Sequence, residues 1–278
     1  METKNASADF GELLAISARD RVAVPLDRAC LLVSAAIDPR TDIDASEATL
    51  DELADRASAI ASRSREPYAQ AGALLESLFT IGGFTGNTAA YRASSNSLLG
   101  RVIATRTGIP ITLSIVLMET GRRIGLPLEG VGLPGHFIVR FPDPTSRLFI
   151  DPFHGGAIVD ERDCRALVER VYGDKLMWRD DFLDSVKPHA ILKRLVLNLK
   201  NALSTEKNYA AALTAIQLQL EIDPDDPSEL RDRGIILARL HRYESAISDL
   251  EAYLARRPDA DDGEHIRNTV RYLRRATS

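Results

Sequence analysis

The sequence predicts an α+β protein, and three observations predict it. Apolar residues recur at helical spacing in the first hundred residues, a short central stretch alternates as strands do, and the last third repeats itself. At roughly 100–200 residues per domain, the 278 residues suggest two domains. Hydrophobic residues make up 45% and charged residues 27%, which excludes a disordered or fibrous chain. The net charge is −5 with no basic run, so nucleic acid is not an expected partner. Two cysteines, Cys30 and Cys164, are too few for a disulfide framework and suit a reducing compartment. The start of the chain carries acids where a signal peptide would be basic, and the longest uncharged apolar run, Ile109 to Met118, is half a bilayer span. A cytoplasmic protein without a membrane partner is the expectation.

The helices come first. Leu50, Leu53, Ala57, Ile60 and Ala61 follow a helical period after Asp44 and Ser46 as capping residues, and a second helix should run from Pro67 to about Thr80. Residues 81–91, rich in Gly, Thr and Asn, read as a loop, and Ser95 should cap a helix from Asn96 to about Thr105. Gly108-Ile109-Pro110 then starts a helix, Ile111 to Ile124, that is apolar on nearly every side and belongs in a domain centre.

Strands follow. Glu129 to Val131 and His136 to Phe141 are β-like, and Arg147 to Asp151 comes after a Pro142-Asp143-Pro144-Thr145-Ser146 turn. If the hairpin is symmetric about that turn, Phe141 faces Ser146 and His136 faces Asp151. Directly opposed residues share one face with Cβ atoms about 4.5–5.5 Å apart. The hairpin therefore sets an imidazole beside a carboxylate, as acid–base sites do.

Charge divides the chain: residues 1–185 carry 20 basic and 26 acidic side chains, residues 186–278 carry 15 and 14. The second part holds the repeat. Tyr209 and Tyr243, Ala212 and Ala246, and Pro224 and Pro258 are each 34 residues apart, the period of the tetratricopeptide repeat, a helix–turn–helix unit. The unit from Pro227 to Pro258 matches the consensus well, the one from about Lys193 to Pro224 lacks its Trp and Gly, and a helix near Gly263 to Arg275 should cap the open end.

The stretches YRASSNSLLGRVIATRTGIPITLS, RRIGLPLEGVGLPGHFIVR and FIDPFHGG resemble the SirB-type invasion-regulator family of bacteria. The resemblance covers nearly the whole chain. It implies a helical N-terminal region and a papain-like transglutaminase-like core over residues 1–185, and a tetratricopeptide tail over 186–278. Transglutaminase-like enzymes carry a Cys-His-Asp triad, with the Cys at the start of a helix whose dipole favours the thiolate. By resemblance His136 and Asp151 take the His and Asp places, and Pro110 falls where the Cys would stand. A proline has no nucleophile.

Substitutes are few. Acids beside Cys164 on an acidic surface helix would suppress its thiolate, and Cys30 reads as a buried structural thiol. Asn96, Ser97, Thr112 and Ser114, on or near the helix that should face the site, are candidate pocket residues, and a hydroxyl activated by His136 is chemically feasible. His154 could join His136 and Asp151 around a metal, although a histidine beyond a proline, before Gly155-Gly156, reads as a turn residue pointing elsewhere. No metal and no cofactor are therefore expected. The expected role is non-catalytic: a protein-interaction or regulatory factor binding a protein or peptide in its repeat groove. By resemblance the groove's exposed positions are Arg194, Asn198, Asn201, Arg231, Ile235 and Arg239, suited to a peptide bearing carboxylates. The rival reading is a thiol-protease-like or amidase-like hydrolase or transferase with a substitute nucleophile, or a metal-dependent hydrolase built on His136 and Asp151.

Overall fold

The structure is a computed structural model and describes residues 5–277 apart from 63, 65, 142, 144 and 145. It opens with helices α1 (Ala6–Asp20), α2 (Leu26–Ile37), α3 (Ile43–Ile60) and α4 (Pro67–Leu75). Pro67 starts α4 as its sequence predicts, and the helix runs on into a π-helical turn, Glu76–Ile81. The cap of α3 is Asp42, not Asp44 or Ser46: its carboxylate accepts from the Ala45 N–H at 2.9 Å. An N-cap must stand just outside the helix with an extended backbone to reach that amide. Asp44 and Ser46 already lie inside the first turn.

The expected loop at 81–91 contains a short strand, β1 (Thr85–Gly86). Ser95 lies within a 3₁₀ turn, Ser94–Ser97, and extended Leu98 delays helix α5 to Leu99–Thr105. Strand β2 (Thr107–Gly108) pairs in parallel with β1. Helix α6 (Pro110–Arg123) follows, and every residue from Pro110 to Gly121 is buried, as its all-round apolar pattern demands. Strands β3 (Glu129–Val131), β4 (Ile138–Arg140), β5 (Phe149–Asp151) and β6 (Ala157–Val159) form an antiparallel sheet in that order. Alternation sorts its two faces. Phe137, Val139 and Ile150 join the main core around α6, whereas Val131, Ile138 and Phe149 meet Cys164 and Val168 of helix α7 (Glu161–Tyr172).

The tail consists of α8 (Pro188–Thr205), α9 (Tyr209–Ile222), α10 (Pro227–Arg239), α11 (Tyr243–Arg256) and α12 (Gly263–Thr277). Tyr209 and Tyr243 each open the second helix of a unit, and Ala212 and Ala246 are fully buried where the paired helices meet. Gly234 permits a close approach in this pairing, because a Cβ there would lie 2.7 Å from Leu250 Cγ. One apolar cluster runs from Phe10 to Ile236, so the tail's first helices share a core with the N-terminal helices, α6 and one face of the sheet. Among the described residues no helix is long and apolar enough to cross a membrane.

A buried charge links the two repeats. Lys200 of α8, 3% exposed, donates from Nζ to Glu229 Oε1 and Asp232 Oδ2 of α10, each at 2.7 Å. Removing one partner of a buried ion pair leaves the others uncompensated, at about 3–5 kcal/mol, while replacing the pair with apolar residues is often neutral. Lys200→Met should therefore lower unfolding free energy in urea by about that amount, and adding Glu229→Leu should recover much of the loss.

Candidate functional site

The site is built on two turns. Leu133-Pro134-Gly135-His136 closes with the His136 N–H donating to the Leu133 carbonyl at 3.1 Å, and Gly135 takes φ +73°. Proline second and a left-handed glycine third are the chemistry of a type II turn. The turn delivers His136, 9% exposed, just before β4. The other turn follows β5. Asp151 Oδ1 accepts from the backbone N–H groups of Phe153 at 3.0 Å and His154 at 3.3 Å, so the carboxylate caps the turn that its own chain makes.

That leaves Asp151 Oδ2 for two imidazoles. His136 Nε2 lies 2.9 Å from it and His154 Nδ1 lies 2.8 Å from it. The hairpin thus brings His136 and Asp151 together, but by a different register from the symmetric one. Val139 pairs with Ile150 and Arg140 with Phe149, which sets the position of Ile138 across from Asp151 and His136 two residues further along. The reason is the turn: Ser146 donates to the Asp143 carbonyl and Phe141 to that of Leu148, so the reversal is centred one residue later than expected. A shift of two in the partner keeps the face, and the diagonal neighbour remains within reach. Pro142, Pro144 and Thr145 of that turn lie outside the described residues. The expectation for His154 is corrected too, since its ring turns back onto Asp151.

Burial alone would raise the Asp151 carboxyl, but the hydrogen bonds and charge of His136 and then His154 outweigh it and hold the group below its ordinary value. Phe153 packs edge-on against both imidazoles, at 6.1 Å from His136 and 5.3 Å from His154, and against Tyr91 at 5.7 Å. Gly86 makes room for it: a Cβ there would sit 2.5 Å from the Phe153 carbonyl. Tyr91 and Phe153 escaped the sequence reading, although an aromatic in a polar loop and another after Asp-Pro were the available signals.

Pro110 occupies the first turn of α6, buried, and α6 packs against β4 and the turn at 152–154. Next to it, Thr112 Oγ1 accepts from the Ile109 N–H at 3.1 Å and lies 2.9 Å from the Asn96 carbonyl, to which it donates. Asn96 in turn donates from Nδ2 to the carbonyls of Ala90 and Tyr91. These two polar side chains brace the loop and the helix start. Ser114 is fully buried, and its hydroxyl has no hydrogen-bond partner among the described residues. Ser97, Asn198 and Asn201 do converge. With Tyr91, Ile109 and Thr205 they line a cavity of about 290 Å³ between the start of α6 and helix α8.

Two of the expected groove arginines are engaged elsewhere. Arg194 Nη2 donates to the carbonyls of Leu133 at 3.0 Å and His136 at 2.8 Å, with its guanidinium over the Phe137 ring. Its side chain is turned onto the core and not into an open groove. Arg231 bridges Asp232 and Asp262, whereas Arg239 is exposed and Ile235 packs into the tail's own core. Cys164 is fully buried rather than on the surface, and burial first, then Asp163, pushes its thiol up to about 12. Cys30 is raised well above its ordinary value by burial, then by Glu119 and Asp27.

A buried His–Asp pair on a small sheet packed against a central helix, with helical repeats behind it, is the arrangement expected of a transglutaminase-like protein with a tetratricopeptide tail. The transglutaminase-like superfamily profile matches residues 44–197, and a tetratricopeptide-repeat profile matches 199–271. A UPF0162 protein of Vibrio cholerae serotype O1 is 30% identical over 262 residues, 94% of this chain and 97% of its own length. A UPF0162 protein of Xylella fastidiosa is 33% identical over 68% of this chain and 69% of its own length, and protein SirB1 of Salmonella typhimurium 29% over 68% and 70%. The chain belongs to the transglutaminase-like superfamily, within the group of UPF0162 and SirB1 proteins. No solved structure matches it.

A carboxylate held below its ordinary pKa stabilises the fold above the unfolded pKa, about 3.9 for Asp. That contribution is lost as pH falls through the lower, folded value. Urea unfolding of the wild type should therefore weaken from about pH 5 downwards, and Asp151→Asn, already less stable at neutral pH, should show a shallower decline over the same range.

Proposed function

We propose that this protein is a non-catalytic member of its superfamily, a cytoplasmic interaction or regulatory factor that seats a segment of a protein partner beside the vacated nucleophile position. The observation that carries this is the cavity shared by Ile109, the residue before Pro110, and by Asn198, Asn201 and Thr205 of the first repeat helix. Tetratricopeptide repeats generally serve protein–protein interaction, and here the first repeat helix lies against the core, so a partner meets both at once. Two carboxamides and the Ser97 hydroxyl offer donors and acceptors to an extended backbone, and Tyr91 and Ile109 offer an apolar floor. This replaces the expected carboxylate-binding groove, because Arg194 and Arg231 are occupied within the fold.

A hydrolase or transferase of the Cys-His-Asp type would need a nucleophile at the start of α6. Proline stands at the helix start, Thr112 is engaged, Ser114 is enclosed in α6, and both thiols are buried with raised pKa values. Free thiols in the core also suit a reducing cytoplasm. The test is partner recovery with the full chain against an Asn201→Arg/Thr205→Arg variant whose circular dichroism is unchanged. Both positions are exposed at the cavity mouth, so the fold should tolerate them. Specific partners should be lost from the variant. Unchanged recovery of every partner would remove the cleft from the interaction.

A further inference from the structure

We propose that His136, Asp151 and His154 form a seat for one divalent transition-metal ion of the zinc class. This goes beyond the partner-binding reading and does not rest on it.

The three donor atoms, His136 Nε2, Asp151 Oδ2 and His154 Nδ1, lie within 4.8 Å of one another. Two imidazole nitrogens and a carboxylate oxygen are a zinc-type set, whereas calcium and magnesium seek six or more oxygens. Metal–donor bonds of about 2.0–2.1 Å in a tetrahedron separate donors by about 3.3 Å. The two nitrogens already stand 2.9 and 2.8 Å from the oxygen. The widest gap needs to close by no more than about 1.5 Å to reach that separation. His154 has the freedom to do this, because its side chain is 48% exposed while that of Asp151 is 1% exposed. The same exposure leaves a further coordination position towards solvent.

The support around the donors is what a metal seat requires. Backbone amides of Phe153 and His154 hold the other carboxylate oxygen, Arg194 holds the His136 carbonyl, and the Phe153 ring fixes both imidazoles from the side. Without an ion, each imidazole donates the N–H that faces Asp151. On binding, that nitrogen becomes a ligand and its proton moves through solvent to the other ring nitrogen, so no net charge leaves the histidines. The buried carboxylate then faces a cation in place of two N–H dipoles.

The experiment is equilibrium dialysis of the metal-stripped full chain against zinc chloride at neutral pH, with cobalt(II) visible absorption as a second readout. Wild type should bind one ion per chain, with the intense absorption of four- or five-coordinate cobalt, and excess magnesium should not displace it. His154→Gln should weaken binding by at least about tenfold, while His189→Gln, on α8, should not. His154 is half exposed, so its variant should fold, and circular dichroism checks this. Absence of stoichiometric binding, equal binding by His154→Gln, or displacement by magnesium would each overturn the proposal.

Discussion

A helix that is apolar on nearly every side must be enclosed, and the molecule is organised by that requirement. From Pro110 to Gly121, α6 presents no face to water. It is wrapped by α2, α3, α4 and α5 on one side, by β3, β4 and the turn at 152–154 on another, and by α8 from the tail. Burial of apolar surface at about 25 cal/mol per Å² makes this enclosure the main stabilising term. It also explains why the apolar cluster continues past residue 185 into the repeats. Pro110 is itself buried at the helix start, so whatever stands at residue 110 is held in one place.

The tail does more than extend the chain. Arg194 reaches from α8 to the carbonyls of Leu133 and His136, the two ends of the turn that presents the imidazole. Desolvation disfavours its charge, and that cost is offset by charge-assisted bonds to carbonyls and by the Phe137 ring. The repeat tail is therefore in direct contact with the turn that presents His136.

Much of this was legible in the sequence, and the misses have physical causes. The central helix, the strands and the 34-residue repeat follow from periodicity, which reflects burial. The pairing of His136 with Asp151 also came through, although with a register displaced by two, because a symmetric hairpin ignores the turn that Asp143 and Ser146 close. Side chains whose partners are distant in sequence were beyond reach. Nothing near Arg194 foretells that it will bind the carbonyls of a turn some sixty residues earlier, and nothing near His154 says which way the ring rotates after a proline. Cys164 looked exposed because its neighbours are acidic, but a single inward position on an amphipathic helix is enough to bury it.

On the proposed reading, the start of α6 is the superfamily's nucleophile position with the nucleophile removed. The direct measurement is the thiol pKa of a Pro110→Cys variant, followed by the pH dependence of its alkylation. The native thiols do not interfere, since both are buried and raised. A helix N-terminus favours a thiolate, and on the proposed reading the His136 imidazole would add to this, so the new thiol should titrate clearly below the free value of about 8.5. A value at or above about 8.5 would show that residue 110 does not occupy that position.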